Sequence, residues 1–162
     1  MKIQIESRAS IKERSLKPFA PNTALITITD NDREFVTLKN KPDYLLAIKF
    51  CDVAMDEVVF ELNIGRELTE DEKLKICEKY HMFSDKQAEQ VAKFIKSILG
   101  KADTLICQCE YGQSRSAGMA AAVKQFLTFD GIVIFADDEY YPDKVVYRKV
   151  LSALERGGHE NS

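Results

Sequence analysis

Cys109 and Arg115 stand six positions apart in the stretch CEYGQSR, and an apolar run, TLICQ (104–108), leads into it. Such a spacing arises easily by chance, so the context carries the meaning. The apolar run reads as a short buried strand. The alanine-rich segment opened by Arg115 reads as a helix to about Thr128. Between them, Glu110, Tyr111, Gly112, Gln113 and Ser114 include no proline, so each keeps its backbone N–H. A loop from a strand to a helix N-terminus can curl such N–H groups into an anion-binding nest, with the helix dipole behind it. Gly112 supplies the freedom for the curl. Arg115 offers a planar fork to two phosphate oxygens. Cys109 lies at the base of this positive cup, which favours the thiolate. A thiolate beneath a bound phosphate is in line to attack phosphorus. The chemistry is phosphoryl transfer without a metal.

The leaving oxygen of a phosphomonoester needs a proton as the P–O bond breaks. Three aspartates compete for that role. Asp43 (in Lys-Pro-Asp) precedes the strand YLLAIKF (44–50), which puts it at the N-terminal edge of a parallel sheet, away from Cys109. Asp143 (in Tyr-Pro-Asp) falls in the first turn of a helix, where the dipole accounts for it. Asp52 follows the strand 44–50 and emerges on the same edge as Cys109, so it is the expected acid, with Asp56 in reserve. A carboxyl that first gives and then takes a proton works best with a raised pKa.

Several elements must hold these residues in place. Strands are expected over 2–6, 23–30, 44–50, 104–108 and 131–136, with a weaker one over 34–38. Capping-box spacing at Ser10/Glu13, Thr69/Glu72 and Ser84/Gln87 predicts helices over 11–17 (stopped by Pro18), to about Lys79, and to Gly100. The last of these carries Ala88, Val91, Ala92, Ile95, Ile98 and Leu99 at helical spacing. Pro142 is placed as the first residue of a final helix with Val146, Val150, Leu151 and Leu154 on one face. Strands alternating with helices predict an α/β structure whose mostly parallel central sheet is flanked by helices. The acidic and aromatic segment 137–141 reads as a solvated loop, with rimming the site as the alternative. Residues 53–83 carry no firm function and could cover a pocket or form a docking surface.

The bulk numbers fit this picture. The chain has 162 residues, 45% hydrophobic and 30% charged, which suits one globular domain over 1–156 with a polar, disordered tail at 157–162. A net charge of −3 gives no basic excess, so neither nucleic acid nor a membrane is an expected partner. No apolar run approaches the roughly 18 residues of a membrane span, and the N-terminus lacks the apolar centre of a signal peptide. Four cysteines without framework spacing suggest free thiols and a cytoplasmic protein. Cys107 and Cys109 are too close for a metal-binding pair, and His81 and His159 are distant, so no metal or cofactor is expected. Cys51, beside Asp52, is a candidate for a reversible disulfide with Cys109.

The segment CEYGQSRS (109–116) resembles the C-x5-R-[S/T] signature of the cysteine-dependent protein tyrosine and dual-specificity phosphatases, especially the small bacterial and phage-type members. ALITITD resembles their second strand, AIKFCDV a strand ending in F-D-D-[IV], FSDKQAEQVAKFI the helix before the nucleophile strand, and YYPDKVVYRKVL a P-N-x-x-V-Y-R helix. The resemblance implies a single-domain phosphotyrosine-phosphatase-like fold and hydrolysis through a phosphocysteine. It implies Cys109 as nucleophile and Arg115 as phosphate clamp. Ser116 would hydrogen-bond the thiolate and help it leave, backbone N–H groups of 110–115 would hold phosphate oxygens, and Asp52 would be the acid. Three positions depart from the pattern. Gln108 replaces the usual histidine, no tryptophan is present to form a W-P-D motif, and Asp143 replaces the helix asparagine. The implied partner is a phosphorylated protein or a small phosphomonoester. Phosphotyrosine comes first, with phosphoserine, phosphothreonine, inositol phosphates and nucleotides open. The rivals are a phosphate-binding module without turnover and an enzyme of sulfur transfer or arsenate reduction.

Overall fold

The chain builds one four-stranded, wholly parallel sheet in the order β1-β4-β2-β3, formed by β1 (Lys2–Glu6), β2 (Thr23–Thr29), β3 (Tyr44–Lys49) and β4 (Thr104–Gln108). The structure is a computed structural model and describes residues 1–159. β2, TALITIT, is buried along its whole length, as a strand covered on both faces must be. Cys107 of β4 lies level with Ile5 of β1 and Ile26 of β2.

One face of the sheet is covered by three helices, α4 (Asp85–Ile98), α5 (Arg115–Thr128) and α7 (Lys144–His159). α4 turns the predicted apolar stripe inward except at Leu99, which ends the helix as its exposed C-cap. Ala88, Val91, Ala92, Ile95 and Ile98 are buried, and both halves of the Ser84/Gln87 capping box are formed. Burying Val91, Ile95 and Ile98 contributes about 1.5–3 kcal/mol each. The other face is covered by α1 (Arg8–Arg14) and the segment 34–38, whose Ile11 and Val36 pack on Leu25 and Ile106.

Several expected elements take a different form. Residues 34–38 pair with no strand and lie over the sheet as an irregular segment. Residues 131–136 form a single helical turn, α6 (Ile132–Phe135), rather than a last strand. A short apolar run does not distinguish the two by periodicity. Here the Gly131 N–H binds Gln125 Oε1 and turns the chain back against α5. α1 starts three residues early because Ser7, not Ser10, is its cap and accepts from the Ser10 N–H. Pro142 stays outside α7, and Asp143 caps that helix through bonds from the Val145 and Val146 N–H groups. Within 53–83, α3 (Glu70–Lys79) follows the predicted Thr69/Glu72 box. α2 (Met55–Glu61) carries no such signal because its cap is Ala54, which makes no side-chain bond. Helix α7 continues through His159, and the rest of the tail expected over 157–162 lies outside the described residues. Among the described residues no helix is long and apolar enough to cross a membrane.

The strand order puts the C-terminal ends of all four strands on one edge. From there the chain leaves β4 between β1 on one side and β2 on the other, the crevice where ligands bind in such sheets. α5 begins at that crevice and crosses close under the residues before α7. A Cβ added at Gly118 would stand 2.5 Å from the Asp143 carbonyl oxygen. In an ordinary helix, glycine to alanine stabilises by up to about 1 kcal/mol. Here the clash with rigid backbone reverses the sign. Gly118→Ala is expected to destabilise the protein by about 1–3 kcal/mol in urea unfolding. Gly65→Ala, which meets nothing within 4 Å, is the control and should stay within about 0.5 kcal/mol.

Candidate active site

Residues 109–114 form a loop tied to the scaffold by its carbonyl groups. The Cys109 carbonyl accepts from Gln108 Nε2 at 3.0 Å. The Glu110 carbonyl accepts from the Arg8 N–H at 3.0 Å, and the Gln113 carbonyl from the Tyr141 N–H at 2.8 Å. The Ser114 carbonyl takes two bonds, from the Gly118 N–H at 2.8 Å and the Asp143 N–H at 3.1 Å. In a trans peptide the C=O and the following N–H point in opposite directions, and the described residues contain no cis bond. The N–H groups of Glu110, Tyr111, Ser114 and Arg115 therefore face away from these anchors. Among the described residues, the N–H groups of 110–114 donate to no protein acceptor.

Gly112 has φ +69°, and a Cβ there would stand 2.8 Å from the Glu6 carbonyl carbon and 2.9 Å from the Ser7 nitrogen. Both the left-handed conformation and the close approach to the end of β1 require glycine. Ser114, the residue before α5, makes no side-chain cap, so the first-turn N–H groups and the dipole of α5 are available to an anion.

Four of the residues singled out in the sequence come together here. Cys109, 3% exposed, lies with its Sγ 3.0 Å from Ser116 Oγ, the second residue of α5. Arg115 is buried. Its Nη1 donates to Asp30 Oδ1 at 2.7 Å and to the Phe50 carbonyl at 2.8 Å, while its Nε is buried without a partner. Asp52 Oδ1 accepts from Ser114 Oγ at 3.3 Å. The Asp52 carboxyl retains solvent contact, yet the surrounding protein raises its pKa by desolvation. A hydrogen bond that protonated Asp52 donates to the Asp143 carboxylate, and the charge of that carboxylate, raise it further, and Ser114 and Arg115 pull the other way. Asp43 binds the Asn22 N–H at the opposite edge of the sheet, and Asp56 sits in the first turn of α2.

The sequence reading missed three residues of this arrangement. Asp30, at the end of β2, holds the guanidinium of Arg115 from behind. Its signal was the break of a buried strand into a carboxylate. Gln108 connects the buried Thr27 hydroxyl, which donates to its Oε1, with the Cys109 carbonyl, to which its Nε2 donates. An amide has a donor and an acceptor in fixed relation, so it serves where the resemblance puts histidine. Segment 137–141 is no free loop, since Tyr141 docks on the loop backbone. At the rim, Glu110 is paired with Arg33 at 2.6 Å. All four cysteines are free. Burial pushes up the thiols of Cys107, a core residue, and of Cys77, which is half-buried. A cleft of about 630 Å³ lined by Asn31, Lys49, His81, Lys86 and Lys93 contains none of the loop residues.

No protein-family model and no curated protein matches the sequence. Solved structures do. The crystal structure of PTPMT1 aligns with TM-score 0.50 at 10% identity, over 99% of this chain and 94% of that one. A structure of PTPMT1 in complex with PI(5)P aligns with TM-score 0.45 at 13% identity, over 88% of this chain and 81% of that one. Tk-PTP in its active form gives 0.44 at 11%, over 96% and 92%. At these identities the likeness is one of fold, and it is carried by the first of them: a single-domain α/β architecture with a four-stranded parallel sheet flanked by helices, like that of PTPMT1.

Proposed function

We propose that this chain hydrolyses phosphomonoesters through a phosphocysteine intermediate, as a protein tyrosine or dual-specificity phosphatase. The observation that supports this most is the set of anchored carbonyls around Cys109, because it leaves several loop amides facing away from the scaffold and, among the described residues, without a protein acceptor beside the start of α5, where an anion can take them. The N–H groups of Glu110, Tyr111, Ser114 and Arg115 take the non-bridging oxygens of the phosphate, together with the guanidinium edge carrying the unpartnered Nε. Cys109 Sγ bonds to phosphorus as the P–O bond breaks, and Asp52 gives its proton to the departing oxygen. Water then attacks phosphorus, returning a proton to Asp52. The S–P electrons go back to Cys109, and the Ser116 hydroxyl donates to the leaving sulfur. Phosphotyrosine on proteins is the substrate class that the likeness of CEYGQSRS to tyrosine-phosphatase loops supports.

The test is hydrolysis of an aryl phosphate in the presence of a chelator. Turnover should persist with the chelator, be inhibited by vanadate, and disappear in Cys109→Ser. With phenyl phosphate, Asp52→Ala should lower kcat by about 10²- to 10⁴-fold. With an activated nitrophenyl ester, which leaves without a proton, the loss should be much smaller. Vanadate binding without turnover in the parent chain would make the loop a phosphate-binding module. Turnover retained in Cys109→Ser would overturn the mechanism. Phosphotyrosyl, phosphoseryl and inositol phosphate substrates compared by kcat/KM test the substrate class.

A further inference from the structure

Ser114 joins two aspartates. Its hydroxyl donates to Asp52 Oδ1 at 3.3 Å, and its carbonyl accepts from the Asp143 N–H at 3.1 Å. The Asp143 side chain is itself fixed, because its Oδ1 accepts from the N–H groups of Val145 at 2.9 Å and Val146 at 3.0 Å. The main chain of Asp143 rests against Gly118, where no Cβ fits. These constraints bring the carboxyl of Asp143 into hydrogen-bond contact with that of Asp52. Two carboxyl groups so placed make a good hydrogen bond only when one of them carries a proton. Asp143 already accepts two amide hydrogen bonds, while Asp52 receives one hydroxyl at longer range, so Asp52 is the partner whose protonated form the contact favours.

We infer that Asp143 is a positioning residue for proton transfer, holding the proton of the pair on Asp52 and aiming it across the mouth of the loop. This rests on the reading of Asp52 as the acid. When Asp52 gives its proton to the departing oxygen, it becomes a carboxylate beside a second carboxylate. That favours its taking a proton back from the water that attacks the phosphocysteine. One contact thus serves both steps. The charged groups facing Asp52 are Asp143, from the cap of α7, and Arg115, from the start of α5. Asp143 favours the protonated form and Arg115 the ionised one. Burial adds to the effect of Asp143, and the net balance is toward the protonated form.

The sign is testable with Asp143→Asn. The side-chain oxygen of asparagine still caps α7, while its NH₂ donates to Asp52 and favours the carboxylate. Activity that needs a protonated acid is present at low pH and is lost as pH rises through the pKa of that acid. With phenyl phosphate as substrate, Asp143→Asn should move the alkaline limb of the kcat profile down by at least about one pH unit. The urea midpoint should stay where it is in the parent, since the cap is retained. Asp143→Ala, which loses the cap as well, should move both. Asp52→Ala should remove the limb, and adding Asp143→Asn to it should change nothing further. If Asp52→Ala removes the limb but Asp143→Asn leaves it in place, the inference is wrong and the acid assignment stands. If Asp52→Ala leaves both rate and limb intact, the acid assignment itself fails, and the inference with it.

Discussion

The backbone of 109–115 is held by its carbonyl groups, and the rest of the site follows from that. Hydrogen bonds from Gln108, Arg8, Tyr141, Asp143 and Gly118 fasten these carbonyls to four different parts of the fold. Each bond fixes the peptide plane it touches and aims the next N–H the other way. A loop left to itself would spend its amides on its own carbonyls or on water. Here the scaffold has taken four of the carbonyls, and among the described residues the amides of 110–114 have no protein acceptor. A set of such amides at a helix start attracts an anion without a formal charge and needs little reorganisation when one arrives.

Charge is arranged by the same means. A buried guanidinium is costly unless it is paired. Asp30 and the Phe50 carbonyl satisfy one nitrogen of Arg115 from the side of β2 and β3, which also sets the direction in which the remaining N–H groups point. Glu110 lies within the loop and would oppose an incoming anion, but its carboxylate is engaged by Arg33 at the rim. Asp52 and Asp143 form a separate acidic pair reached through Ser114, so the anchored loop and the two aspartates share one residue.

Much of this was legible in the sequence. Strand 104–108, the helix 115–128, the amphipathic face of α4 and the two capping boxes at Thr69 and Ser84 are local patterns, and each formed where its pattern lay. Cys109, Arg115 and Asp52 could be singled out because parallel strands that lead into loops fix their common edge, and Ser116 because CEYGQSRS resembles a known phosphatase signature. The residues that escaped act over long range. Asp30 lies 85 positions from its partner Arg115, and nothing in its neighbourhood announces the contact. Gln108 looked like a lost histidine until Thr27, 81 positions away, supplied the donor on its other side. Asp143 read correctly as a helix-start aspartate, but its second neighbour, Asp52, comes from the far end of another strand. The apolar run 131–136 was misassigned because its burial depends on α5 and α7, not on its own alternation: Phe135 stacks edge-on against Tyr147 at 4.9 Å while Ile132 and Val133 face solvent.

The central claim is that Cys109 Sγ receives the phosphoryl group while the loop amides hold its oxygens. The most direct measurement is a rapid quench into alkaline denaturant during turnover of a ³²P-labelled aryl phosphate by Ser116→Ala, the variant in which departure of the sulfur is slowed, followed by peptide mapping. The account predicts label on the peptide containing Cys109 that survives alkali and is released in mild acid, at a stoichiometry approaching one per chain, and none in Cys109→Ser. An active Ser116→Ala enzyme that carries no bound label, or label on any other side chain, would contradict it.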